Sequence, residues 1–311
     1  MPIKTVSEQS LTWVNIEGVD EESVKFLKDS YKFHPLDLED VQTEVQTPKL
    51  DVYKNYLFLV LHFPEWNHEN KRVTSQQIDF FIMDNTLITV QHNKNKDLQA
   101  LFYRCVKNKK IRSEWLGQNS GFLLYYILNA LFSEARPILN NIGKHLALVE
   151  TEVFSGEQNS GLIRQLSYHR RNILAFGRIV EPQRYLMSNL AHTRRPFLDE
   201  SASVYFDDIR DFLDKLWSIV ENYKESVQGL YITVESMINQ RTNKVLTILT
   251  VISVALLPHT LFFNLYSMNV PHLPLVERHY PWVWDILITL TVIVAVTLVF
   301  TLRRMKRNGW F

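Results

Sequence analysis

Residues 245–265 read VLTILTVISVALLPHTLFFNL, 21 consecutive positions without Asp, Glu, Lys or Arg. A helix rises about 1.5 Å per residue, so this run matches the roughly 30 Å hydrocarbon thickness of a bilayer. A second uncharged run covers 286–302, and Tyr280, Trp282 and Trp284 precede it as an aromatic belt at a membrane surface would. Two such runs predict two membrane helices, about 245–266 and 282–302, joined by a loop at 270–281. Arg241 and Lys244 flank the first run, and Arg303, Arg304, Lys306 and Arg307 follow the second, whereas the loop carries only Arg278. Basic residues stay on the cytoplasmic side, so both termini are expected there, in a multi-pass protein of the inner (plasma) membrane.

Outward from the spans, bulk composition excludes more than it assigns. The 311 residues hold 34 basic and 33 acidic side chains, a net charge of +1, so no global field draws in nucleic acid. The single cysteine, Cys105, allows no internal disulfide and no thiolate cluster for structural zinc. Residues 1–10 have no apolar core of a secretory signal, so the soluble part is expected in the cytoplasm.

Upstream of the membrane the chain changes character once. Residues 11–16 followed by Gly18 read as a strand and turn, and 21–28 as a helix. Residues 56–62 and 78–90 are rich in β-branched and aromatic types, the second run broken at Asp84-Asn85, a turn pair. These features predict an α/β domain over 1–120. From about Gly121 the spacing becomes helical, and 206–240 runs without proline toward the first span, predicting a long-helix stalk over 121–244 and a membrane domain over 245–311. On that helix Phe212, Leu216, Ile219, Tyr223, Val227 and Leu230 recur at three- and four-residue steps, an apolar seam within a bundle or between subunits.

Alternating steps of three and four from Asn243 give Asn243, Leu246, Thr250, Ser253, Leu257, Thr260, Asn264 and Ser267, mostly polar and uncharged. They share one helix face, and polar groups facing lipid would lack partners, so this face turns toward protein or water. The competing reading is that each Ser and Thr bonds back to its own helix carbonyls. One such face cannot enclose water, so a pore requires several copies around an axis. Neutral oxygens suit a cation that keeps its water, as magnesium does, and the stripe has no Cys, His, Asp or Glu for a softer metal. His259, one residue off the stripe, reads as a packed histidine.

Residues 258–269, PHTLFFNLYSMN, resemble the end of the first membrane helix in CorA-type proteins, where a proline and threonine precede Tyr-Gly-Met-Asn at the outer mouth. Residues 33–40, FHPLDLED, followed by Pro48-Lys49 and residues 56–58, YLF, are similar to that family's N-terminal signature. The resemblance implies a CorA-like funnel: a homopentamer with an α/β cytoplasmic domain and long helices leading into two C-terminal membrane helices. It further implies a magnesium channel, with cobalt or nickel as other cargo, and no organic cofactor. By position it implies Asn269 as the mouth asparagine beside Met268, Ser267 and Tyr266, with Thr260 and Asn243 along the pore. Asp208 resembles the helix aspartate of an intersubunit regulatory metal site, with Glu65 as its weaker partner candidate.

Two departures bear on that implication. Ser267 and Asn264 stand where the family has glycines, which permit close backbone approach and positive φ, and the loop's only carboxylate is Glu277. They leave open a transporter of changed selectivity, for instance zinc as in the ZntB branch, or a non-conducting, metal-sensing membrane protein. An enzyme is the least supported class, since no phosphate-binding glycine loop, zinc-ligand cluster or nucleophile motif is present.

Overall fold

The computed structural model describes residues 3–43, 46–155, 161–195, 198, 200–268 and 281–307. Six strands, β1 (Ile3–Glu8), β2 (Leu11–Glu17), β3 (Lys49–Val52), β4 (Leu57–Asn67), β5 (Arg72–Ile82) and β6 (Thr86–Gln91), form one sheet in the order β1-β2-β6-β5-β4-β3. Only β2 and β6 pair in parallel; the other neighbours are antiparallel, with Val60 opposite Asp79 and Phe81 opposite Ile88. Between β2 and β3 run α1 (Glu21–Ser30) and α2 (Pro35–Gln42), and after β6 come α3 (Lys96–Lys107), α4 (Lys109–Leu116), α5 (Ser120–Ser133), α6 (Ala135–Phe154) and α7 (Leu162–His192).

Local chemistry sets these boundaries. Gly18 takes φ +98°, open to glycine, and Asp20 then caps α1 by accepting from the Ser23 N–H at 2.8 Å. Asn95 caps α3 through Leu98 N–H at 2.8 Å, and Pro35 opens α2 behind the cap residue His34.

Strand alternation then sends side chains to two layers. Val14, Ile16, Phe58, Val60, Phe81, Ile88 and Val90 pack with Leu27, Phe33, Leu38 and Val41 around α1 and α2. On the opposite face Trp13 meets Phe102 of α3 edge-on with ring centres 5.1 Å apart, and Phe63 meets Phe132 of α5 at 4.8 Å. Each such buried aliphatic or aromatic side chain contributes roughly 1.5–3 kcal/mol. The polar groups trapped beneath α3 are satisfied in series: Trp13 Nε1 donates to Thr89 Oγ1 at 3.1 Å, and Thr89 and Gln91 both donate to Asn15 Oδ1, at 2.9 and 2.8 Å.

The strands and first helix anticipated at 11–16, 21–28, 56–62 and 78–90 are all present. The long helix is present as α8 (Glu200–Ser267), 68 residues and thus about 100 Å. Its apolar seam lies partly one position away from the expected one. Phe206, Ile209, Leu213, Leu216, Val220, Val227 and Leu230 are buried, while Phe212, Ile219 and Tyr223 are half-buried. The chain forms two compact units, 1–231 and 232–311, the division falling inside α8. The second unit holds the end of α8 and α9 (Pro281–Arg307).

Candidate functional site

The second unit is apolar where the spans were expected. Among the described residues α8 is long and apolar enough to cross a membrane, its best window having mean hydropathy 1.7 with none of it buried in the chain; 288–301 of α9 is a shorter apolar stretch. Val245, Leu249, Val254 and Leu261 on α8 and Ile288, Val292, Val296 and Phe300 on α9 stand exposed. A surface of this kind needs lipid or protein around it, not water.

Within this unit one face of α8 is distinguished by burial. Ile248, Ile252, Ala255 and His259 are half-buried, as are Leu290, Val294 and Leu298 on α9. His259 Nε2 lies 3.5 Å from Thr291 Oγ1 of α9, and the ring also packs edge-on against Phe263 with centres 4.6 Å apart. His259 is thus a packing residue between the two helices. At about 100° per residue, the face carrying Asn243, Leu246, Thr250, Ser253, Leu257, Thr260, Asn264 and Ser267 points roughly the opposite way. All eight are exposed.

The hydroxyls on that face bond back to the helix. Thr250 Oγ1 donates to the Leu246 carbonyl at 2.8 Å, Thr260 Oγ1 to that of Leu256 at 2.9 Å, and Ser267 Oγ to that of Asn264 at 3.3 Å. The two readings of the stripe are therefore compatible: a hydroxyl whose proton is engaged still presents oxygen lone pairs outward, as an acceptor. Met268 is exposed just past the helix end. The Tyr266 side chain and Asn269 lie outside the described residues, as does the loop through 280.

The N-terminal signature converges on one structural cluster. Asp37 on α2 accepts from Tyr53 at 2.9 Å and Tyr56 at 2.6 Å, Tyr56 in turn accepts from the His34 N–H at 2.8 Å, and Tyr53 and Tyr56 stack with ring centres 4.4 Å apart. Burial pushes the Asp37 carboxyl above the usual carboxylate range, with the two phenols opposing it. Burial and Asp37 together raise the Tyr56 phenol. Lys49 on β3 bridges Asp40 at 2.5 Å and Asp51 at 2.6 Å; burial works against its charge, yet the two carboxylates hold its ammonium above its ordinary value. These residues fasten α2 to the β3–β4 edge of the sheet.

The two acids of the implied regulatory site lie on different elements, α8 and β4. Asp208 is exposed on α8, and after burial its charge is the next cause raising the Tyr125 phenol. Its neighbours are neutralised locally: Arg210 pairs with Asp207 at 2.8 Å and Asp211 at 3.0 Å, and Arg184 pairs with Asp214. Glu65 is exposed on β4, where it accepts from Gln76 Nε2 at 2.7 Å. Among the described residues no group of three His, Cys, Asp or Glu is placed to hold a metal.

Sequence reasoning missed one buried polar cluster. Asp79 of β5 accepts from Gln77 Nε2 at 2.9 Å and lies 3.3 Å from His92 Nε2, and burial pushes its carboxyl up against the opposing pull of His92 and Gln77. An acid inside the apolar run 78–82, with a histidine just after the next strand, was the available signal.

Comparison with known proteins agrees with this architecture. Residues 8–306 match the family described as CorA-like Mg2+ transporter protein. The Cobalt/magnesium transport protein CorA of Thermotoga maritima is 24% identical over 296 residues, covering 95% of this chain and 83% of that protein. The protein of the same description from Methanocaldococcus jannaschii is 23% identical over 308 residues, covering 96% and 91%. The complete structure of CorA magnesium transporter from Methanocaldococcus jannaschii has the same fold, with TM-score 0.79 at 19% identity over 98% of this chain and 94% of that one. The chain belongs to the CorA-like Mg2+ transporter family, membrane transporters of divalent cations and not enzymes.

Proposed function

We propose that five copies of the chain surround a pore that passes hydrated Mg2+, with Co2+ as a second cargo. The exposed polar face of α8, turned away from α9, is the observation that carries this reading. Hydrated magnesium presents donor protons from its waters and dehydrates reluctantly. Thr250, Thr260 and Ser267, with their own protons engaged by helix carbonyls, present acceptors to that shell, and Asn243 and Asn264 add amide oxygens. Ser253 continues this lining, while Leu246 and Leu257 supply apolar constrictions between the polar rings. Asn269, with Tyr266, Ser267 and Met268, forms the outer mouth. The names of the Thermotoga maritima and Methanocaldococcus jannaschii relatives support magnesium and cobalt as cargo.

The soluble part, 1–244, lies in the cytoplasm with both termini, and 245–311 lies in the plasma membrane. Asp208, exposed and left out of the local ion pairs, faces a carboxylate of the next subunit, with Glu65 as the candidate. A regulatory Mg2+ there offsets two like charges. The test is the mass of the complex in mild detergent, expected at five times the 36.7 kDa chain. Magnesium is expected to protect the soluble part from protease in the parent and not in Asp208→Ala. A stable monomer contradicts the pore, and unchanged protection removes Asp208 from the regulatory site.

A further inference from the structure

We propose that the cleft between the β4–β5 hairpin, α6 and α7 is a nucleotide site, holding phosphates by its cations and a base by its aromatic rings. The cleft has a volume of about 740 Å³, within the range of small-molecule sites. His68 and Lys71 enter it from the hairpin, His145 from α6, and Arg164 and His169 from α7; among the described residues no carboxylate lines it. In a chain of net charge +1 this is a local concentration of positive charge, not a reflection of composition. Gln165, one of its lining residues, donates to Glu152 at 3.5 Å. The first turn of α7 also enters, so the helix dipole adds to the attraction for an anion.

The wall is built, not draped. Tyr168 OH and Asn172 Nδ2 both donate to the Lys71 carbonyl, the second at 3.3 Å, and Asn172 Oδ1 accepts from Val73 N–H at 3.2 Å. They fix the hairpin tip to α7 and hold Lys71 at φ +48°, a conformation a non-glycine residue adopts only when its surroundings impose it. His145 Nδ1 donates to the Asn141 carbonyl at 2.8 Å, which leaves Nε2 for the ligand. The rings of His145 and His169 lie 6.3 Å apart, and burial with His145 beside it depresses His169's affinity for a proton. A bound anion relieves that mutual repulsion. A cation is the wrong cargo for this cleft, because Lys71 and Arg164 would repel it. Free phosphate is too small to fill it, and Trp66 and Tyr168 offer ring faces that phosphate does not use.

The test uses the full-length protein in detergent, without magnesium and with a chelator, titrated calorimetrically with ADP, inorganic phosphate or adenosine. ADP is expected to bind at one site per chain, at least about tenfold tighter than either fragment. Arg164→Gln and Lys71→Gln, both at exposed positions, are each expected to weaken ADP about tenfold with the melting temperature unchanged. Trp66→Phe is expected to abolish the tryptophan fluorescence change on binding. Absence of saturable binding to millimolar ADP, equal affinity for phosphate or adenosine, or unchanged affinity in both charge variants overturns the proposal.

Discussion

The Thr260 hydroxyl donates to the Leu256 carbonyl at 2.9 Å, and it does so from the exposed face of α8 opposite the one that meets α9. The oxygen therefore keeps its acceptor capacity toward whatever covers that face. Thr260→Val keeps the shape and removes the acceptor. Magnesium flux is expected to fall about tenfold, a barrier change of about 1.4 kcal/mol, with the oligomer intact. Thr260→Ser restores the oxygen and is expected to retain most of the flux. Equal flux in Thr260→Val and the parent would remove Thr260 from the pore lining.

Close packing of α6 on α8 makes a second prediction. A Cβ added to Gly143 would come within 2.0 Å of the Tyr223 hydroxyl and 2.5 Å of its ring. Gly143→Ala is expected to destabilise the soluble part by about 1–3 kcal/mol. Adding Tyr223→Leu, which removes the obstructing ring, is expected to recover part of that loss. Additive losses in the double variant would show that the two side chains do not compete for this space.

Asp79 supplies a pH prediction. Its folded-state carboxyl binds a proton more readily than the ordinary value of 3.8 because burial disfavours the charge. The stability it contributes is complete below that ordinary value and is lost as the pH rises through the raised folded-state value, so at neutral pH it is a cost. Asp79→Asn keeps an acceptor for Gln77 and removes the charge. Its melting temperature at pH 8 is expected to rise by a few degrees, with a flatter pH dependence above the ordinary carboxylate value. A lower melting temperature at pH 8 would show that the ionised carboxylate is itself stabilised in place.

The sequence announces some of these features and hides others, for physical reasons. Residues 56–62 and 78–90 are legible because both faces of those strands are covered by helices, which requires near-continuous apolar runs. β1 and β3 escape notice because they are the sheet edges, where Lys4, Ser7, Lys49 and Asp51 interrupt any alternation. The upstream half of β5 is hidden for a related reason: Thr74, Ser75 and Gln76 look like a loop and become a strand only by pairing with 63–65 of β4. The seam on α8 was legible as a period and not as a register, since Leu213 and Val220 compete with Phe212 and Ile219 for the buried positions and only packing against other helices decides. The polar stripe was legible in full as spacing, because three- and four-residue steps define a face without reference to the rest of the chain. That α9 lies on the other side of the helix was not, and neither was the cationic cleft, whose residues come from 66–71, 141–145 and 161–172.

The central claim is that the chain conducts magnesium through a mouth at the end of the polar stripe. Five copies of Asn269 would present amide oxygens to the waters of the ion, and Ser267 adds bulk beside them. The decisive measurement is magnesium uptake into liposomes under one gradient by the parent, Asn269→Ala and Ser267→Gly proteins. The account predicts uptake by the parent, its loss in Asn269→Ala with the oligomer's mass unchanged, and faster uptake in Ser267→Gly. Equal uptake by the parent and Asn269→Ala would contradict the assigned mouth, and an intact parent oligomer that admits no magnesium would contradict the account itself.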